Sequence, residues 1–300
     1  MPIKRLSILH KLWAGNVGPV AVLVAVLMVV WYGGAIYLNS PLLIDRYANN
    51  NLNWGGARLI VDSWSMKRPV LPAPHQIAVE LKKTILDRKI TSPRSLVYHA
   101  GVTLSSAILG FVMGALLGIS LAIGIVHVAT LDRSLMPWII ASQTIPILAI
   151  APMIIVVLGA IGITGLFPKS IISAYLCFFP VTVGMVKGLR SPSKILLDLM
   201  RNYNASNTQI FWKLRVPASV PYLFSSLKIA IALGVVGAIV AELPTGTQSG
   251  LGARLLSGSY YGQTNLIWAA LITASAVSAS LVTLVGRLEK STTKRMGLRP

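Results

Sequence analysis

Glu242, in the stretch AIVAELPTGTQSGLGARL, is the one acidic residue within or at the edge of the chain's long apolar runs. A carboxylate at that depth is costly unless paired or wet, so two readings stand for it: a gate residue on a path through a membrane, or an interfacial carboxylate solvated at the membrane edge, with Arg254 as its candidate ion-pair partner. The other chemistry-bearing residues form no constellation. His10, His75, His99 and His127 show neither an i, i+4 pairing nor the HExxH spacing of a zinc site, and are read as interfacial or loop residues. Cys177 is the only cysteine, which excludes a disulfide framework and a thiol cluster. Paired acids or a Ser-Lys dyad at a suggestive spacing are missing too, so no catalytic residue and no metal ligand is assigned. No G-x-x-x-x-G-K-[ST] occurs, and the chain cannot cradle nucleotide phosphates in the usual way.

A second group of polar residues lies inside an apolar run. In MPWIIASQTIPILAIAPMIIVVLG, Ser142, Gln143 and Thr144 directly precede Pro146, and Pro152 follows. Each proline removes a backbone hydrogen bond and forces a kink or a break, which a membrane tolerates where the freed carbonyls line a cavity or meet another helix. These five residues are therefore candidates for lining a translocation path. The alternative is a structural kink whose polar groups satisfy neighbouring backbone.

The elements that must position these residues are membrane helices. Apolar residues make up 54% of the chain and charged residues 12%, with a mean hydropathy of +0.71, far from an ordinary soluble domain. Six windows are long enough to cross a hydrocarbon layer: 18–39, 100–125, 137–160, 166–187, 219–242 and 264–286. The expected fold class is thus an all-α polytopic bundle of six transmembrane helices. Gly110, Gly114 and Gly118 put three notches on one face of the second, for close packing inside the bundle or, less favoured, for dimerisation. The N-terminal run is too long for a signal-peptide core and is read as a retained first span.

Most of the basic residues behind the net charge of +19 fall in the gaps outside the apolar windows, a distribution that argues for anionic lipid and against nucleic acid. Lys4, Arg5 and Lys11 at one end, and Arg287, Lys290, Lys294, Arg295 and Arg299 at the other, put both termini in the cytoplasm. Lys169 and Arg254 fall in the outer links. Residues 40–99 break the pattern, since they must be outside yet carry nine basic residues, including Arg46, Arg58 and Lys67. Within them, PAPHQIAVELKKTILDRKI predicts a helix along the outer membrane surface, with Ile77, Val79, Leu81, Ile85 and Leu86 on one side.

Between the fourth and fifth windows lies a polar, proline-bounded island, SPSKILLDLMRNYNASNTQIFWKLRVPASVP, whose pattern points toward a partner protein. Apolar Ile195, Leu196, Leu199, Tyr203, Ile210 and Phe211 recur near helical spacing. Two short amphipathic helices joined at Asn204-Ala205-Ser206 fit best, with Ser206 capping the second and Val216-Pro217 and Val220-Pro221 ending the island.

This island resembles the cytoplasmic loop in permease subunits of bacterial ATP-binding-cassette (ABC) importers, in the nitrate, sulfonate and taurine branch. Asp198-Leu199-Met200-Arg201 stands where that family has E-A-A-R, and Tyr203-Asn204-Ala205-Ser206 where it has L-G-A-S. Gln209, Phe211, Pro217 and Pro221 match the remainder. Asn204 replaces a glycine, and Asn is the non-glycine residue that best tolerates a left-handed turn. The likeness runs from about Leu71 to Leu288 and includes LPAP, TIPILAIAP, FFP and the AE...GLG stretch.

The resemblance implies a permease in the bacterial inner membrane whose loop 191–218 couples to a separate ATPase dimer through Asp198, Arg201, Asn204, Ala205, Ser206, Gln209 and Phe211. It implies no cofactor in this chain, ATP being bound by the partner. The implied partners are a second permease chain, identical or not, an extracytoplasmic solute-binding protein, and membrane lipid. The implied solute is a sulfonate, nitrate, or a pyrimidine or thiamine precursor. The expected organisation is an N-terminal segment 1–99, a permease core 100–288 and a cytoplasmic tail 289–300. An ion-gradient-driven transporter or an intramembrane enzyme is the alternative; Glu242 standing alone and the lack of an internal repeat weigh against the former.

Overall fold

The structure is a computed structural model in which residues 17–244 and 249–297 are described. Lys4, Arg5, His10, Lys11, Gly246 and Arg299 lie outside the described residues. Those described are helical throughout, without strands: α1 (Val17–Asn49), α2 (Gly56–Ser65), α3 (Pro74–Leu81, continued by a wide π turn over Lys82–Leu86), α4 (Leu96–His127), α5 (Ala129–Ser142), α6 (Ile147–Ala160), α7 (Leu166–Leu189), α8 (Lys194–Asn202), α9 (Asn207–Glu242), α10 (Leu251–Tyr260) and α11 (Thr264–Arg295). Of these, α1, α4, α7, α9 and α11 are long and apolar enough to cross a membrane, and α5 with α6 forms a pair bent by 99°.

The chain divides into two compact units. The first comprises residues 1–88 and 257–269. Here Asn39 of α1, fully buried, holds the connection that leads to α3: its amide nitrogen donates to the carbonyls of Ser63 (3.2 Å) and Leu71 (3.0 Å), and its oxygen accepts from the backbone of Val70 and Leu71. Trp31 donates to the Pro72 carbonyl and packs on Trp268. Gln76 takes the Ala73 N–H and starts α3, so the expected helix forms. Its apolar side is only partly covered: Ile77 is buried, while Val79 and Leu86 are exposed.

The second unit comprises residues 89–256 and 270–300. Its centre is α4, α7 and α9 in mutual contact. The three glycines of α4 let it lie directly on α7: a Cβ at Gly110 would come within 2.4 Å of the Ser173 Cβ, one at Gly114 within 2.6 Å of the Cys177 Cβ, and one at Gly118 within 2.7 Å of the Phe178 carbonyl oxygen. The notched face thus packs within the chain. Close approach also lets small polar groups bond across: Ser173 Oγ donates to the Gly234 carbonyl (2.8 Å) and Cys177 Sγ faces that of Ala230 (3.1 Å).

Helix direction follows from who meets whom. His127 at the end of α4 touches Phe211 near the start of α9, and His99 and Thr103 at the start of α4 lie by Glu242 at the end of α9. Arg190, just past α7, pairs with Asp132 in the first turn of α5 (2.9 Å), which follows His127 by a single residue. At the other end, α6 packs on Ile172 of α7 and Ala241 of α9. The bent pair therefore starts at one end of the core and reaches the other, as a broken crossing does. The expected six windows all contribute to crossings, most extended by several residues. Lys169, expected in a link, sits buried in the first turn of α7.

Replacing Gly114 by Val should force α4 and α7 apart and cost about 2 kcal/mol or more, read as a lower thermal midpoint in detergent. Gly101→Ala, whose Cβ meets nothing within 4 Å, should leave that midpoint unchanged or raise it.

Candidate functional site

Three consecutive backbone N–H groups at the start of α10 are taken by side chains of other helices. Gly250 N–H donates to Nδ1 of His99 (2.9 Å), Leu251 N–H to Oγ1 of Thr103 (2.9 Å) and Gly252 N–H to Oε2 of Glu242 (2.8 Å). The first turn of a helix has no internal partners for such groups and carries a partial positive charge, so a carboxylate placed there is stabilised twice over. Thr103 completes the knot by directing its hydroxyl hydrogen at the Glu242 carboxylate, 2.9 and 3.0 Å from the two oxygens. Because a backbone N–H can only donate, Nδ1 of His99 is unprotonated, and Nε2 carries the hydrogen that it gives to the Pro93 carbonyl (2.9 Å). Buried Lys169 lies within electrostatic reach of the carboxylate.

The sequence alone left Glu242 between gate and solvated edge; the structure buries it completely, and the solvated reading falls. His99, expected in a loop or at an interface, is likewise fully buried, inside α4. Two glycines make the knot sterically achievable. Gly250 has φ +119, a conformation side chains rarely adopt, and a Cβ there would lie 2.2 Å from the Glu242 carboxyl carbon. At Gly252 a Cβ would come within 2.3 Å of the Ile239 carbonyl. No sequence signal marked Thr103 as a partner of Glu242, because the two are 139 residues apart and the pairing exists only through helix packing.

The broken crossing places its polar residues at the bend. Pro146 caps the start of α6, and the chain turns over Gln143–Pro146. Ser142 and Thr144 bond back to the carbonyls of Ile139 (2.7 Å) and Ala141 (2.8 Å), and the freed Ser142 carbonyl accepts from the Tyr175 hydroxyl on α7. Neighbouring structure thus satisfies these groups. Gln143 differs: its side chain is exposed and makes no hydrogen bond among the described residues. Pro152 does not break its helix, since α6 runs through it.

At the other end of the core, α8 ends in a left-handed turn at Asn204 (φ +56). Ala205 N–H reaches the Met200 carbonyl (3.0 Å) and Asn204 N–H that of Arg201 (2.8 Å), the paired bonds of a Schellman cap, here with Asn in glycine's place. Ser206 and Gln209 then form a reciprocal capping box. The helix that they start is not the short, separate one expected. It continues through a π turn at Phe211–Arg215, which absorbs Pro217, and past Pro221 to Glu242 without interruption.

The residues expected to meet an ATPase divide into two groups. Asp198 and Arg201 are exposed and 3.8 Å apart, beside exposed Ile195, Leu196, Leu199 and Tyr203. Asn204, Ser206 and Gln209 are exposed too, with Ala205 half-buried. Phe211 is instead buried among Ala122, Ile125, Ile139, Met185, Val186 and Leu189, so it anchors the loop to the bundle.

Residues 114–297 match the family described as binding-protein-dependent transport system inner membrane component. The chain belongs to that family. A riboflavin transport system permease protein of Chloroflexus aurantiacus is 31% identical over 74% of this chain and 78% of its own length. A formylaminopyrimidine transport permease protein of Halalkalibacterium halodurans is 33% identical over 61% of this chain and 68% of its own. The taurine transport system permease protein of Escherichia coli is 26% identical over 69% and 74%. The chain is accordingly an ABC transporter permease, a multi-pass inner-membrane transport subunit, as the island's resemblance implied.

One polar contact of this permease went unread in the sequence. Lys228 on α9 pairs with Glu289 on α11 at 2.7 Å. The predicted sixth window stopped at 286, whereas α11 runs to Arg295 and carries Glu289 within reach.

Thr103→Val should strand the Leu251 N–H and one carboxylate lone pair, costing about 2 kcal/mol or more; Thr103→Ser should restore the wild-type thermal midpoint. Gly250→Ala should destabilise the α10 junction at least as much, seen as faster proteolysis at Arg254.

Proposed function

We propose that this permease carries a small solute of the sulfonate, nitrate, or pyrimidine or thiamine-precursor type into the cytoplasm, driven by a separate ATPase dimer that grips loop 191–218. The observation that carries this reading is the continuity of α9. One uninterrupted helix of 36 residues, about 54 Å long, joins the capped loop at one end to the Glu242 knot at the other. A push on α8 enters α9 through the Schellman turn, the capping box and buried Phe211. A stiff rod delivers it to the junction where α4, α9 and α10 meet. Ile195, Leu196, Leu199 and Tyr203 give α8 an exposed apolar stripe suited to a groove on the ATPase, with Asp198 and Arg201 beside it as polar orienters. Gln143, exposed at the bend of the broken crossing, is the polar residue best placed to meet the solute.

In this reading ATP is bound by the partner, both termini are cytoplasmic, and a second permease chain and an extracytoplasmic solute-binding protein complete the importer. Support for the partners comes from the family's description as binding-protein-dependent; support for the solute comes from relatives named for riboflavin, formylaminopyrimidine and taurine.

Leu199→Asp, on the exposed stripe, should lower uptake by vesicles containing the full importer roughly tenfold, while the permease itself folds normally. Phe211→Ala should leave the ATPase bound but loosen coupling, so that hydrolysis outruns transport. Unchanged coupling in both variants would refute the docking role. Glu242→Gln faces an amide N–H₂ toward Gly252 N–H or Thr103, and should slow uptake roughly tenfold without loss of ATPase assembly. Normal uptake would reduce Glu242 to a purely structural cap.

A further inference from the structure

The segment that defies the charge rule contains a cationic cavity at the end of the first membrane helix. A hollow of about 420 Å³ opens where α2 folds back on the last turns of α1, its floor formed by Leu43, Tyr47 and Met66, with Leu59 packed alongside. Arg46, Arg58 and Lys67 line it, against a single acid, Asp62. That acid is already engaged: it accepts from the Tyr47 hydroxyl and lies 3.7 Å from Arg58, whose guanidinium also sits over the Tyr47 ring at 5.7 Å. Arg46 and Lys67 make no ion pair among the described residues, so two cations at the cavity remain uncompensated.

Depth identifies the occupant. The crossing helix Gly18–Asn49 has 32 residues, about 48 Å, whereas the hydrocarbon layer takes about 30 Å. Its apolar window is only 6% buried within the chain, which leaves an apolar face open to lipid tails. The last dozen residues or so emerge from the hydrocarbon, which sets Arg46 and Tyr47 among the headgroups. Trp54, exposed and stacked near Tyr47, and the exposed apolar residues Leu42, Leu52 and Val61 belong at the same level, where aromatic side chains concentrate. A cavity of this charge at this depth meets phosphodiester headgroups before it meets any other anion.

We infer that Arg46 and Lys67, with Arg58 held by Asp62, form a binding site for the phosphate of an anionic phospholipid. The lipid's tails lie along the uncovered face of α1 while its headgroup fills the cavity. This gives the basic residues of the segment a local counter-charge, and the site is independent of the coupling loop and of the Glu242 knot.

The test is a thermal-shift titration of the full chain in neutral detergent with phosphatidylglycerol, phosphatidylcholine or inorganic phosphate. Phosphatidylglycerol alone should raise the melting midpoint. The double variant Arg46→Gln/Lys67→Gln should bind it roughly 30-fold more weakly while keeping its midpoint in phosphatidylcholine, which shows that it folds. Arg88→Gln/Lys89→Gln, which removes the same charge elsewhere in the segment, should bind as wild type does. Undiminished affinity in the first variant, or an equal loss in the second, would overturn the site. A shift produced as well by inorganic phosphate would overturn the lipid as its occupant.

Discussion

A carboxylate sealed inside a membrane protein has to be answered by hydrogen-bond donors, and the arrangement of the permease core follows from how Glu242 is answered. Water cannot reach it, so the donors come from the chain: a threonine hydroxyl from α4 and the leading N–H of α10. Such donors serve only if α4, α9 and α10 converge on one point. That convergence demands a chain reversal within a few residues, glycine at 250 and 252 to admit the carboxylate, and a histidine to take the neighbouring N–H. Remove the acid and none of these features has a reason to be where it is.

The opposite end of α9 is organised by complementary means. There the problem is not a buried charge but a loop that must be firm without being covered. Two caps back to back, one closing α8 and one opening α9, use local hydrogen bonds in place of burial, and Ile210 and Phe211 supply the deep apolar anchor of the segment. The result is a stiff handle with an uncovered apolar stripe, fixed to a long rod whose far end is the Glu242 knot. Lys228 and Glu289 tie that rod to α11 at a single point between its ends.

Much of this was legible in the sequence because membrane physics narrows the choices. Hydrophobic length alone located every crossing, and spacing showed that Gly110, Gly114 and Gly118 share a face. Ser206 could be recognised as a cap and Asn204 as a left-handed turn because both act through local backbone geometry. What stayed hidden depends on packing. Phe211 looks like part of an amphipathic surface until the turn of the helix buries it; Thr103 and His99 look like ordinary span residues until α10 arrives beside them. Two prolines near residue 217 read as a boundary, since nothing in the sequence announces that a π turn can carry a helix through them. Lys169 read as an outer-link charge, yet the α7 start buries it near Glu242.

The broken third crossing also constrains how the molecule is made. Its two arms, 14 residues each, span about 21 Å apiece and fall short of the bilayer core, so neither arm crosses it alone. At their turn the Ser142 carbonyl accepts from the Ile145 N–H and from the Tyr175 hydroxyl, and Tyr175 is translated later, in α7. That contact can form only once α7 has been made, which ties the final setting of the bend to the order of synthesis.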